Sequence, residues 1–228
     1  MLFRSISSYA VGSLNLLGDS ANTPPSALSG DLQLAMGRIA EQAERAGKVI
    51  KSVHDFVRRR DQAREAVTPL DLINAVMPLV SLQARKLGVA VALDIDKAAQ
   101  PVICDRTMVE QVLLNLARNG MQAMDDLDKS ATRVLTLRVK PAASNATSRW
   151  VEFAVIDQGA GISPDVAAQL FTPFFTTKLE GMGLGLSLCR TVIEQHGGIL
   201  QFEPAPSQGI QGTIFTFTLP VDTVPNAT

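Results

Sequence analysis

The chain has 228 residues, a formal net charge of −1 and 46% hydrophobic residues, which describes one or two globular domains with a sizeable core. Lysine and arginine are scattered, so composition gives no sign of a nucleic-acid-binding surface. The two cysteines, Cys104 and Cys189, lack partner motifs and are typical of core thiols in a reducing compartment. No stretch reaches the roughly 18 apolar residues of a membrane span. We therefore expect no direct membrane insertion and a cytoplasmic location, although a longer parent protein could be membrane-attached.

The first part of the chain, residues 1–62, carries a helical pattern. Apolar residues follow heptad spacing from Leu32 to Val57, and a shorter stripe with the same spacing runs from Phe3 to Leu17. A segment rich in turn residues, 18–25, separates the two stripes, which predicts an antiparallel hairpin. Because a lone hairpin has too little core, we expect a homodimer in which two hairpins form a four-helix bundle. A hairpin packed on its own second domain is the alternative.

The second part, residues 63–228, follows a polar linker at 61–65 and alternates helices with strands. Thr68 predicts an N-cap with proline at the first helical position, opening a helix to about Lys86, and Asp105 caps a helix through Met124. A third helix is predicted at 184–195, and strands at 89–95, 102–104, 134–139, 151–156, 199–202 and 213–219. The pattern predicts an α/β sandwich, a mixed sheet with helices on one face, and with the hairpin an α+β protein.

Two glycine motifs frame one segment of this domain. Asp157 ends a predicted strand, and Gly159 and Gly161 follow it, so that the backbone can approach a flat ring closely. For this motif alone, a plain strand-to-helix turn is the alternative. The second motif, 181–186, runs into a helix whose free amides and positive dipole end favour phosphate oxygens. The segment between the motifs is then a lid, in which Lys178 is the cation placed to meet phosphates or, alternatively, a solvent-exposed lysine.

An asparagine pair lies on the predicted helix that begins after Asp105. Asn115 and Asn119 are four residues apart and share a face. Their amide oxygens are hard neutral ligands of the kind that suits Mg²⁺. Two asparagines on a wet helix face are the alternative, which the neighbouring leucines disfavour because they mark the helix as core-facing.

In this order and spacing, the motifs resemble the ATP-binding domain of bacterial sensor histidine kinases, within the wider GHKL family that includes gyrase, Hsp90 and MutL ATPases. The resemblance implies ATP and Mg²⁺ as ligands. It also implies that Asp157 accepts a hydrogen bond from the adenine amino group, that Asn119 ligates Mg²⁺ with Asn115 as a weaker ligand, and that Thr213 belongs to a closing motif. The predicted nucleotide site comprises Asn115, Asn119, Asp157, Gly159, Gly161, Lys178, Gly181, Gly183, Leu184, Gly185, Leu186 and Thr213.

The chain departs from the family pattern on the asparagine helix. Gly120 replaces the commoner alanine. Gln122 stands where many members carry a phosphate-binding lysine. Phosphate binding would therefore depend more on Lys178 and the lid.

The reaction implied by the resemblance is transfer of the γ-phosphoryl group from MgATP to a histidine and then to a response-regulator receiver domain. The usual acceptor-histidine motif is absent, and we expect it before Met1. His54 and Asp55 imitate that motif without its proline, so a partly exposed bundle residue is the preferred interpretation of His54. Two other functions remain open: an ATP-binding dimerisation or docking module without kinase activity, and a relative that phosphorylates serine on an anti-sigma partner or hydrolyses ATP.

Overall fold

The computed structural model describes residues 8–13, 30, 32–43, 46–47, 64–125, 133–142, 149–178, 181–207 and 210–222. The chain divides into two compact units, Met1–Asp61 and Gln62–Thr228. In the first unit, residues 8–13 and 32–43 are helical. His54 lies outside the described residues, and the predicted pairing of the hairpin with a second copy stays a prediction. Among the helices of the described ranges, none is long and apolar enough to cross a membrane.

The second unit contains seven strands and four helices within its described residues. The longer helices begin and end close to the predicted boundaries. In chain order the elements are β1 (Glu65–Val67), α1 (Pro69–Leu87), β2 (Ala90–Ile95), β3 (Val102–Cys104), α2 (Arg106–Ala123), β4 (Val134–Pro141), β5 (Trp150–Ile156), α3 (Pro164–Ala167), α4 (Gly185–Gln195), β6 (Leu200–Ser207) and β7 (Ile210–Pro220).

The capping signals in the sequence produce the predicted helix starts. The Thr68 hydroxyl accepts a hydrogen bond from the Asp71 amide at the start of α1, and Asp105 Oδ1 accepts one from the Met108 amide at the start of α2, 3.0 Å away. Helix α1 ends at Gly88, whose φ of +67° is the left-handed conformation common at C-caps. Both predicted N-caps are confirmed.

The main sheet has five strands in the order β2-β4-β5-β7-β6. Strands β2 and β4 are parallel, and the remaining pairs are antiparallel. Side chains from one face of these strands form the core beneath the helices, and the rings of Phe153 and Phe217 stack there with centroids 5.0 Å apart. The mixed sheet with helices on one face is therefore confirmed, and it brings the ends of β5 and β7 beside α2.

The structure corrects three strand predictions. The predicted linker at 61–65 reaches into β1, which pairs antiparallel with β3 in a separate two-stranded sheet. Glu65–Val67 has a single strand-favouring residue, Val67, whereas the equally short β3 is apolar throughout. The pairing with β3 makes this segment a strand. Strands β6 and β7 are longer than predicted because they form a hairpin that continues past the sheet core to the pair Ser207 and Ile210.

A buried histidine joins the end of α4 to the start of α2. The Asp105 amide donates a hydrogen bond to His196 Nε2, 2.9 Å away. Since that nitrogen accepts, the ring is neutral and carries its proton on Nδ1, which donates to the Val192 carbonyl at 2.7 Å. His196 is 4% exposed, and its role in these contacts is structural.

Protonation of His196 should destabilise this unit as the pH falls below neutral. Burial lowers the pKa of His196, whereas a histidine in the unfolded chain has a pKa of about 6.5. Between those two pKa values the unfolded state binds a proton that the folded state does not. The contribution of the neutral His196 imidazole to the free energy of unfolding is therefore complete above pH ~6.5 and is lost as the pH falls toward the folded-state pKa. Urea unfolding at pH 7.5, 6.5 and 5.5 measures it, followed by fluorescence of Trp150, the single tryptophan of the chain.

The matched variant is His196→Gln. This substitution should lower the free energy of unfolding by about 1–2 kcal/mol at pH 7.5, because the buried Asp105 amide loses the Nε2 acceptor of His196. Its stability should then fall less steeply with pH than that of the wild type. Parallel pH profiles for the two proteins would contradict this role of the imidazole.

Candidate functional site

Asp157 stands at the junction of the sheet and the loop that leads to the lid. It follows β5 and is 2% exposed. Its Oδ1 accepts hydrogen bonds from the amides of Gly159 at 2.8 Å and Thr213 at 3.2 Å. Burial raises the pKa of Asp157, and these two hydrogen bonds oppose the shift. Among the described residues no hydrogen bond to Oδ2 is formed, which leaves that oxygen as an acceptor for a bound molecule.

Close approach of the Asp157 loop to α2 explains the first glycine of the motif. A Cβ at Gly159 would lie 2.6 Å from the carbonyl oxygen of Ala123. Any larger residue would push the loop away from the last turn of α2. The glycine thus fixes the distance between Asp157 and the asparagine-bearing helix.

The predicted lid cation reaches the asparagine-bearing helix. Lys178 Nζ lies 2.6 Å from Gln122 Oε1 and 3.4 Å from Asn119 Oδ1. Lys178 is exposed as a residue, yet partial burial of its ammonium lowers its pKa first, and repulsion from Arg118 lowers it further. No carboxylate of the described residues pairs with this ammonium. Two neighbouring cations without a counter-ion among those residues favour an anionic ligand.

Two backbone hydrogen bonds close the C-terminal end of the lid. The Phe174 amide donates to the Gly183 carbonyl at 2.8 Å, and the Gly181 amide donates to the Lys178 carbonyl at 3.1 Å. Gly183 has φ +67°, and a Cβ there would lie 2.4 Å from the Phe174 carbonyl carbon. These contacts present Lys178 from a closed loop.

Two phenylalanines of the lid have different environments. The ring of Phe171 packs on Phe202. Phe174 is 64% exposed and has a φ of +68°.

The second asparagine faces a different partner. Asn115 Nδ2 donates a hydrogen bond to the sulfur of Cys189 at 3.1 Å. Its amide also lies against Gly185, where a Cβ would approach both amide heteroatoms to 2.7 Å and 2.8 Å. Asn119 therefore contacts the lid lysine, whereas Asn115 contacts the first turns of α4.

Helix α4 begins without a side-chain cap. Its N-cap residue is Leu184, which makes no side-chain hydrogen bond to the helix. Leu184 is buried and Leu186 is half-buried, so the side chains of this turn face the interior while the backbone amides of the first turn stay available. This is the arrangement that favours phosphate oxygens.

A cavity of about 490 Å³ lies on the side of the Asp157 loop toward β6. It touches Gly161 and Thr213 of the predicted set, but none of the residues of α2 or α4. Its remaining lining comes from the start of the lid and from the strands: Ala160, Ile162, Ser163, Pro164, Phe202, Glu203, Pro204, Ala205 and Gly212. The Lys178 ammonium, the Asn119 amide and the Asp157 carboxylate lie instead against the last turns of α2. The surface between these turns and the lid is the groove.

Most of the predicted residues thus belong to one chain of contacts, from Thr213 and Asp157 through α2 to the lid and α4. Two residues with a place in that chain lie outside the predicted set. Gln122 stands out in the sequence only as a departure from the family pattern, although an amide four residues from Arg118 and three from Asn119 signals the same helix face. Cys189 has the sequence features of a core thiol, and no sequence signal indicates its contact with Asn115.

The chain is similar to several known proteins in sequence and in fold. The C4-dicarboxylate transport sensor protein DctS of Rhodobacter capsulatus is 39% identical over 217 residues, which are 95% of this chain and 31% of that protein. The nucleotide-free catalytic domain of histidine kinase ThkA is 28% identical, with a TM-score of 0.57 over 70% of this chain and 97% of that domain. ThkA in complex with the response regulator protein TrrA has a similar fold, at 23% identity, with a TM-score of 0.64 over 96% of this chain and 58% of that chain.

The chain therefore spans less than a third of the length of DctS. The predicted resemblance to the ATP-binding domain of sensor histidine kinases is confirmed by these similarities. The sequence profile of the histidine kinase-, DNA gyrase B-, and HSP90-like ATPases matches residues 104–223. Because that match extends over more than half of the sequence, the chain belongs to the family of histidine kinase-, DNA gyrase B- and HSP90-like ATPases.

Proposed function

We propose that this chain is the catalytic core of a two-component sensor histidine kinase. It binds MgATP and transfers the γ-phosphoryl group to a histidine, from which a response-regulator receiver domain takes it. The observation that carries the proposal is that a buried carboxylate, two amide side chains and a lysine without a counter-ion among the described residues border one groove along the last turns of α2. One end of that groove suits a base and the other suits phosphates.

The adenine end is formed by Asp157. Its Oδ1 is occupied by the amides of Gly159 and Thr213, so Oδ2 accepts from the exocyclic amino group of the base. Gly159 and Gly161 let the ring approach the loop closely. A bound adenine supplies a donor to this second oxygen.

The phosphate end is formed by the lid and by helix α4. Lys178 neutralises phosphate charge, and the uncapped backbone amides at the start of α4, in the turn that ends at Leu186, bind phosphate oxygens. That turn contains Gly183, Leu184 and Gly185, whose backbone contributes rather than their side chains. Phosphoryl transfer depends mostly on such positioning and charge neutralisation.

Mg²⁺ fits the amide oxygens of this groove. Asn119 Oδ1 already faces a cation, the Lys178 ammonium, at 3.4 Å, which supports the oxygen rather than the nitrogen as the atom directed toward the lid. Asn119 is therefore the proposed ligand, and Asn115 is a weaker one. When bound, Mg²⁺ neutralises the phosphate oxygens and orients the terminal phosphate. The protein residues position the nucleotide beside it.

The two units take different roles in this proposal. Residues 1–62 are the dimerisation hairpin and residues 63–228 the ATP-binding catalytic domain of a homodimeric, cytoplasmic enzyme. Met36, a heptad residue of the hairpin, is 61% exposed in the single chain, which supports a partner surface on that helix. ThkA has a similar fold and binds a response regulator protein, which supports the receiver domain as partner. His54 is not the proposed acceptor.

The direct test is incubation of the full chain with γ-labelled ATP and Mg²⁺, alone and with a separately made sensor-kinase hairpin that carries an acceptor histidine. Acid-labile label on the added hairpin supports the proposal, because the phosphorus–nitrogen bond of phosphohistidine breaks in acid. Label on this chain alone would make His54 the candidate acceptor. ATP binding without label in either mixture would favour the alternative, an ATP-binding dimerisation or docking module without kinase activity.

The variant Asp157→Asn should separate the adenine contact from folding. The introduced amide keeps an oxygen for the two backbone amides but presents an NH₂ group to the adenine amino group. ATP affinity should fall roughly 10- to 100-fold, as expected for the loss of a hydrogen bond to a charged group. Because burial raises the pKa of Asp157, the variant should be at least as stable as the wild type. Isothermal titration calorimetry and urea unfolding measure the two effects, with Asp165→Asn on the exposed helix α3 as control. Unchanged ATP affinity in Asp157→Asn would contradict the adenine assignment.

The variant Lys178→Met should weaken the binding of phosphates and leave the binding of the base intact. We expect ATP affinity to fall about tenfold, which corresponds to ~1.4 kcal/mol, and adenosine affinity to change less than about twofold. The same titrations on Lys140→Met, which removes a lysine paired with Glu152 on the sheet, provide the control. An equal loss for ATP and adenosine would assign Lys178 a structural role in the lid.

A further inference from the structure

The side-chain amide of Asn115 is enclosed by the first two turns of α4. Its Nδ2 lies 3.1 Å from Cys189 Sγ, and the thiol is 4% exposed. One turn earlier in α4, Gly185 leaves room for the amide, since a Cβ there would lie within 2.8 Å of both heteroatoms. Gly185 and Cys189 are four residues apart on one helix face. Together they form a small pocket on α4 that accommodates the Asn115 side chain of α2.

The orientation of this amide matters for its chemistry. An asparagine side chain presents an oxygen that accepts and a nitrogen that donates, and its partners decide which end faces a ligand. Here the nitrogen is committed to the thiol sulfur, a weak acceptor. The oxygen receives no hydrogen bond from the described residues. It is therefore the end left for a ligand.

We propose that Cys189 is a positioning residue, which holds the Asn115 amide with its oxygen toward the cation that accompanies the nucleotide phosphates. The inference deepens the proposed function and rests on it, because it assigns the cation as the group that the oxygen serves. Removing the sulfur lets the amide rotate and present its NH₂ group, which does not ligate Mg²⁺. The competing explanation is plain packing, in which the thiol acts as a small apolar side chain. The two explanations differ for valine, which fills similar space and accepts no hydrogen bond.

The test uses Cys189→Val, Cys189→Ser and Cys189→Ala in the full chain. ATP binding is titrated at increasing Mg²⁺, from metal-free to saturating concentrations, and the Mg²⁺ concentration at half-maximal affinity is recorded. We expect Cys189→Val and Cys189→Ala to raise that concentration about threefold to tenfold, and Cys189→Ser, whose hydroxyl also accepts, to stay within about twofold of the wild type. The matched control is Cys104→Val. Its thiol is also buried, but it lies on β3.

A second readout follows the amide itself. Hydrogen exchange of the Asn115 side-chain NH₂, observed by NMR, should be slow in the wild type and in Cys189→Ser, and fast in the valine and alanine variants. Wild-type Mg²⁺ dependence and slow NH₂ exchange in folded Cys189→Val or Cys189→Ala would overturn the inference and leave packing as the role of the thiol. ATP binding by the wild type that does not depend on Mg²⁺ would overturn the proposed metal site as well, so the two failures are distinguishable.

Discussion

The buried carboxylate of Asp157 is the constraint on which the rest of the site depends. A carboxylate at 2% exposure costs free energy unless its oxygens are hydrogen-bonded. Two backbone amides, from its own loop and from β7, satisfy one oxygen. The pairing of β5 with β7 brings the second of those amides into place. The sheet thus holds the carboxylate while leaving one oxygen for a ligand.

The opposite end of the groove has the complementary electrostatics. Lys178 and Arg118 are close enough for the guanidinium to lower the pKa of the lysine, and only amide oxygens contact the ammonium among the residues that the structure describes. An anion between the lid and α2 relieves that repulsion, so phosphate binding stabilises the lid contact. A groove with an acceptor at one end and unpaired positive charge at the other matches a nucleotide in both polarity and order. The proposed kinase activity adds to this an acceptor histidine, for which the described part of the groove carries no residue.

Much of this fold could be predicted from the sequence, because local signals determine it. The caps at Thr68 and Asp105 and the alternation in the central strands act over a few residues, and the structure follows them. Strand β1 could not be predicted, since its sequence carries little strand signal and it forms by pairing with a distant segment. The contacts of Gln122 with Lys178 and of Cys189 with Asn115 join residues 56 and 74 positions apart. Such pairs depend on how the lid and α4 pack on α2, which no local pattern encodes.

In the proposed function, nucleotide binds between the Asp157 loop, α2 and the start of α4. Hydrogen–deuterium exchange of the full chain, with and without a non-hydrolysable ATP analogue and Mg²⁺, tests it most directly. We expect slower exchange in peptides that contain 157–161, 115–122 and 181–187. Slower exchange confined to the cavity lining at 202–205, with those three segments unchanged, would contradict it.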